Sequence, residues 1–269
     1  MESNTQFQYN GFLKTPNLWL NSEIFGLKQF QFLSSQFPFD KPSIFKEIRL
    51  GKRVEEFLSF QFSNLKNVDI ITKNLQIKDD KITIGELDFI VKNQDKYIHL
   101  EVIYKFYLYD SNIKSDNHLD YWIGPNRNDA LIYKLNKLKN KQLPLLYSKQ
   151  CNAVLQYLEL DPKLITQNVC YKGQLFLPFK TQNIDITPLN KDCIAGFYMS
   201  YSEIEELQSY QFYIPRKLDW LVIPHSEVDW KLYDEIRVQL STSINEQRSP
   251  MVWLKSSDNK LSKCFITFW

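Results

Sequence analysis

The chain has 269 residues, 43% of them hydrophobic, enough to bury one large core or one core with a substantial extension. Lys plus Arg number 33 against 31 Asp plus Glu, so no bulk field marks a partner and any basic footprint must be local. Seven glycines without a G-x-G-x-x-G or G-x-x-x-x-G-K-S/T run exclude glycine-rich phosphate loops, and four scattered cysteines with three histidines lack zinc-site spacing. The start "MESNTQFQYNGFL" lacks a basic and then apolar leader, and no segment approaches the ~20 apolar residues of a membrane span. The expectation is a cytoplasmic protein with reduced thiols and no membrane partner.

Residues 1–41 read as an N-terminal arm in which "PNLWLNSEIF" supports only a short or interrupted helix. "PSIFKEIRLGKRVEEFLSFQFSNL" places Ile44, Ile48, Val54, Phe57, Leu58 and Phe62 near helical spacing, with Pro42 and Ser43 suited to its start and Gly51 a point of bending. "VDIITKNLQI", "TIGELDFIV" and "KYIHLEVIYKFYLY" are β-branched and aromatic runs separated by "KDDK" and "NQD", which predicts a three-strand meander. A helix follows from about residue 128, carrying Leu131, Leu135 and Leu138 on one face and stopping before Pro144. "CNAVLQYLEL" reads as a strand. Further strands are expected at "GQLFLPF", "IAGFYMSY", "DWLVIP", "MVWLKS" and "KCFITFW", with helices around residues 202–209 and 228–243.

Three charged residues interrupt the apolar pattern of the second and third strands. A turn centred between Gln94 and Asp95 sets Asp88 opposite Glu101 on one face, where like charges are destabilising unless something cationic sits between them. Period two adds Lys105 to that face. Two hard carboxylates with a lysine suit Mg²⁺ or Mn²⁺, with water and substrate phosphate as the remaining ligands. Glu86 on the same face is expected to pair with Lys105, and His99 to be a core or edge residue.

"GELDFI" followed by a short turn and a strand carrying Glu101 resembles the core of the PD-(D/E)XK phosphodiesterase superfamily, which includes restriction endonucleases and Holliday-junction resolvases. "LGKRVEEF", "HLEVIYKFYLY", "YWIGPNRNDALIYKLNKL" and "KQLPL" more closely resemble a bacterial family of unknown function within that superfamily, over roughly residues 45–146. The resemblance implies an α/β fold. Residues 42–164 would form a restriction endonuclease-like αβββαβ core, its mixed sheet flanked by helices, and residues 165–269 a C-terminal α/β extension. It also implies that Asp88 and Glu101 ligate a metal, that Glu55 supports the metal or its water, and that a lysine polarises water or phosphate. The usual lysine position, two after the glutamate, is Ile103 here, so Lys105 is assigned that role.

Lys134, Lys137 and Lys141 recur at helical spacing, and Arg127 stands in "GPNRND" at the helix start. Beside a metal site they are candidates for phosphate contacts. Trp122, Trp220, Trp230, Trp253 and Trp269 read as core. The expected activity is metal-dependent cleavage of nucleic acid, DNA more than RNA. The rival reading is a catalytically degenerate nuclease fold that binds or scaffolds, and the displaced lysine favours it. A small-molecule α/β enzyme would need a pocket in the C-terminal extension.

Overall fold

β-Branched and aromatic residues make long strands of the stretch between residues 68 and 109: β1 (Val68–Asp79), β2 (Ile82–Asn93) and β3 (Lys96–Tyr109). The computed structural model describes residues 4–20, 23–31, 37–39, 48–181 and 183–269. Helix α1 (Asn4–Lys14) and helix α2 (Leu50–Asn64) precede the strands. Gly51 lies in the first turn of α2 and does not break it. The proposed helix start at Pro42 and Ser43 lies outside the described residues.

After β3 come the short strand β4 (Trp122–Ile123) and helix α3 (Leu131–Lys137). The helical path continues as a wide π turn over Leu138–Gln142 and a 3₁₀ turn over Leu143–Tyr147, passing through Pro144 where a stop was expected. Helix α4 (Lys149–Tyr157) occupies the predicted strand "CNAVLQYLEL". The correction has a local cause: Ser148 Oγ accepts the Cys151 N–H at 3.1 Å as an N-cap, and Cys151 and Leu155 bury one helical face.

The remaining elements are β5 (Ile165–Pro178), β6 (Ile194–Ser200), β7 (Gln211–Tyr213), helix α5 (Tyr233–Asn245), β8 (Met251–Lys255) and β9 (Leu261–Thr267). The predicted strand "DWLVIP" is instead a 3₁₀ turn over Lys217–Leu221, fixed by Asp219, whose carboxylate accepts from Asn4, Gln8 and Arg216.

The chain forms two units. The hairpin unit comprises residues 17–104 and 133–172, and the C-terminal unit residues 1–16, 105–132 and 173–269. This partition differs from boundaries at 41/42 and 164/165. In the hairpin unit the strand order is β1-β2-β3-β5. Its core joins Ile77, Leu87 and Ile90 to Leu146, Cys151 and Leu155, while Phe62 of α2 meets Phe89 edge-on at 5.8 Å. A Cβ at Gly85 of β2 would stand 2.5 Å from Leu145 Cδ2, the end of a flexible side chain that would have to turn aside.

In the C-terminal unit the order is β5-β6-β9-β8-β7, with β6 parallel to both β5 and β9 and the rest antiparallel. Ile236 and Leu240 of α5 pack with Val252, Leu254, Cys264 and Ile266. The architecture is α/β with a mixed sheet flanked by helices. All four cysteines are free and buried. No helix among the described residues is long and apolar enough to cross a membrane.

Candidate functional site

The hairpin has the register expected from its turn. The β2–β3 ladder runs from Asn93↔Lys96 to Phe89↔Leu100. One step further, Asp88 leaves the ladder pattern: its Oδ2 accepts the Val102 N–H at 2.8 Å. Asp88 and Glu101 are therefore neighbours, and burial first, then the Glu101 charge, push the Asp88 carboxyl up to about 8. Among the described residues neither carboxylate forms an ion pair with Lys or Arg.

Glu101 is fully buried and held from two sides. His99 Nε2 lies 3.0 Å from its Oε1, and Gln142 Nε2 donates to its Oε2 at 2.6 Å. Groups with a single hydrogen-bonding role fix these orientations. The Leu143 carbonyl can only accept, so Gln167 presents Nε2 to it at 2.7 Å, and that same amide nitrogen faces His99 Nδ1 at 3.0 Å. Nδ1 is thereby the acceptor, which leaves Nε2–H to donate to Glu101. At the other end the Lys134 ammonium can only donate and meets Gln142 Oε1 at 2.8 Å, turning the Gln142 Nε2 toward Glu101.

The π turn makes this chain possible. A regular α-helix would set Lys141 two turns below Lys134, but the wide turn over Leu138–Gln142 absorbs an extra residue and presents Gln142 instead. Lys134 thus belongs to the acid site, where its charge also reaches Asp88. Lys137 and Lys141 are exposed. The lysine ridge read from spacing is therefore divided.

Lys105 is paired elsewhere, donating to Asp129, while Glu86 pairs with Lys52 at 2.7 Å and not with Lys105. Lys52 stands one helical turn before Glu55 on α2 and bridges Glu55 (2.9 Å), Glu86 and Asn74 (3.1 Å). Glu55 is raised by its burial, against the opposing pull of Lys52, with the charges of Glu86 and Glu101 adding to the rise. Arg127 donates to the fully buried Asp110 at 2.7 Å and stacks over Trp269 at 4.5 Å, so its charge is already matched. The Asp129 side chain accepts from the Ala130 N–H at the start of the helix, where an anion was expected.

The matching family model covers residues 36–264. The chain belongs to the family described as Domain of unknown function (DUF1853). No curated protein and no solved structure matches it.

In this DUF1853 member the acid pair has the donor chemistry for a hard divalent cation. Among the described residues no three His, Cys, Asp or Glu side chains gather into a ready-made cage. Mg²⁺ needs none, because it commonly takes one or two carboxylates and keeps water and phosphate for the rest. Asp88 and Glu101 fit that demand, since a cation between them would offset the burial and the Glu101 repulsion that together raise the Asp88 carboxyl. His99, Gln142, Gln167 and Lys134 complete the surroundings. Of these, sequence spacing gave a functional role to Lys134 alone.

Proposed function

We propose that this protein is a PD-(D/E)XK-like phosphodiesterase that hydrolyses nucleic acid with Mg²⁺ or Mn²⁺, DNA in preference to RNA. One observation carries the reading: Asp88 and Glu101 adjoin each other, neither is ion-paired with an arginine or lysine among the described residues, and the Asp88 carboxyl rises to about 8 in consequence of burial and of that neighbour. The order α2, β1, β2, β3, the two-residue β4, a helical stretch and β5 supports it, as does the "GELDFI" resemblance.

Asp88 and Glu101 would hold the metal, and Glu55 would adjust the charge beside them. When bound, the ion supplies charge neutralisation for a phosphodiester and a more acidic water. The protein's part is to orient and to balance charge. His99 and Gln142 fix the Glu101 carboxylate through one hydrogen bond on each oxygen, so it need not reorganise during reaction. Lys134 takes the cationic role assigned from sequence to Lys105. Lys137 and Lys141, exposed beyond it, offer sequence-independent contacts to the phosphate backbone.

The second reading is a degenerate nuclease fold that binds without cutting. Ile103 at the usual lysine position and the engagement of Lys105 by Asp129 favour it. Mn²⁺ titration calorimetry, combined with cleavage of labelled duplex DNA by wild type and Asp88→Ala, separates the two. Binding and cleavage that both disappear in the variant support the enzyme. Binding without turnover selects the second reading, and absence of both in the wild type overturns the metal-dependent proposal.

A further inference from the structure

Lys263 lies in the middle of β9, between Gly196 of β6 and Trp253 of β8 in register, and is 5% exposed. Its side chain shares a face with Phe265, which packs edge-on against Trp220 at 5.1 Å and Phe176 at 4.8 Å. No carboxylate forms an ion pair with it among the described residues. Its two partners are neutral: Gln174 Oε1 at 2.9 Å and the Trp220 carbonyl at 2.7 Å. Gln174 turns its own Nε2 toward that carbonyl at 3.4 Å, which fixes its oxygen toward Lys263. Lys263 also lines a cavity of about 300 Å³ with Thr15, Gln174, Asp192 and Ser262.

We propose that Lys263 is an imine-forming lysine for a small, neutral, hydroxylated aldehyde or ketone admitted to this cavity. Among the described residues two acceptors meet this nitrogen, which matches the two N–H groups of a free amine and leaves its lone pair for attack from the cavity. Burial pushes this amine down to about 7, so much of it is in the nucleophilic form at neutral pH. The other titratable groups lining the cavity are Lys14, Asp192 and the buried thiol of Cys193. Lys14 and Asp192 have opposite charges, so their sum selects neither anion nor cation, and the hydroxyl groups of Thr15 and Ser262 suit an uncharged polar ligand.

The reaction balances without an added oxidant or reductant. The nitrogen lone pair forms a C–N bond to the carbonyl carbon, the C=O π pair moves to oxygen, and both amine hydrogens leave with that oxygen as water. The product is the imine.

The test uses the full chain, glycolaldehyde as probe and cyanoborohydride to reduce any imine, followed by digestion and mass spectrometry. Lys263, whose amine is buried against two neutral acceptors, should be modified at pH 7 roughly tenfold or more faster than the exposed Lys78 and Lys163. Lys263→Arg, its fold checked by thermal melting, should lose that adduct and keep the slower ones. Adducts confined to exposed lysines overturn the proposal. Protection of the cavity by inorganic phosphate with no Lys263 adduct would instead make it an anion pocket, which also overturns it.

Discussion

Asp88 and Lys134 are the two side chains whose chemistry is most open to measurement. The folded pKa of Asp88, about 8, lies above its unfolded value near 3.8, so its contribution to stability is full below about pH 4 and is lost as pH rises to about 8. Thermal melting of the metal-free wild type should therefore fall between pH 5 and pH 8. Asp88→Asn keeps an acceptor for the Val102 N–H and carries no charge, so it should flatten that slope and exceed the wild type at pH 8 by a few kcal/mol (order of magnitude). A variant slope equal to that of the wild type would remove Asp88 as its source. For Lys134, loss of the ammonium in Lys134→Met should lower DNA cleavage about 10²-fold, comparable to removing one electrostatic donor, while Lys105→Met leaves cleavage within about threefold. The reverse ranking in a single-turnover assay would restore the original assignment to Lys105.

Secondary-structure elements carry the next lesson, which is where local pattern and long-range contact part company. The hairpin was legible because its turn length and its alternation are both local; they carried the register as far as Phe89↔Leu100, beyond which Asp88 leaves the ladder but stays within reach of the Glu101 charge. Helix α4 was misread because "CNAVLQYLEL" is apolar enough for either structure, and only the Ser148 cap and the Cys151 and Leu155 burial decide between them. The π turn left no readable mark, and with it the link from Lys134 through Gln142 to Glu101 was hidden. Deleting Lys139 should return this stretch to α-helical spacing and swing Gln142 away. We expect far-UV circular dichroism to persist while Mn²⁺ affinity falls about tenfold, given that groups orienting a metal ligand are typically worth 10–100-fold. Unchanged affinity would show that Gln142 does not orient Glu101. Gly85 tests packing separately: because Leu145 Cδ2 is a flexible side-chain end, Gly85→Ala should cost less than about 1 kcal/mol, and Leu145→Ala in the same chain should remove that cost in a urea denaturation cycle.

At the level of the molecule, two buried titrations of opposite sign sit in different units. Asp88 makes the hairpin unit less stable as pH rises from about 4 to about 8. Lys263, with a folded pKa of about 7 against 10.5 unfolded, makes the C-terminal unit more stable as pH rises through and above 7. The buried Cys264 thiol, raised well above its ordinary value, opposes that gain at higher pH, so the clean comparison is between pH 6 and pH 8. Native-state hydrogen exchange, corrected for intrinsic rates, should show protection free energies of β2 and β3 amides up to residue 104 decreasing across that interval while those of β8 and β9 increase. Parallel changes in both units would contradict this assignment.

The division into units also governs how the protein can be dissected. The backbone passes from one unit to the other at residues 16/17, 104/105, 132/133 and 172/173, so no single truncation yields either one whole. A gene cut after β3 would encode the acid pair but lack Lys134 and Gln142, and a fragment starting at residue 173 would encode Lys263 but lack Thr15. Isolating either half calls for splicing its segments through new linkers, so deletion mapping of activity along this chain would report broken folds before it reported missing function.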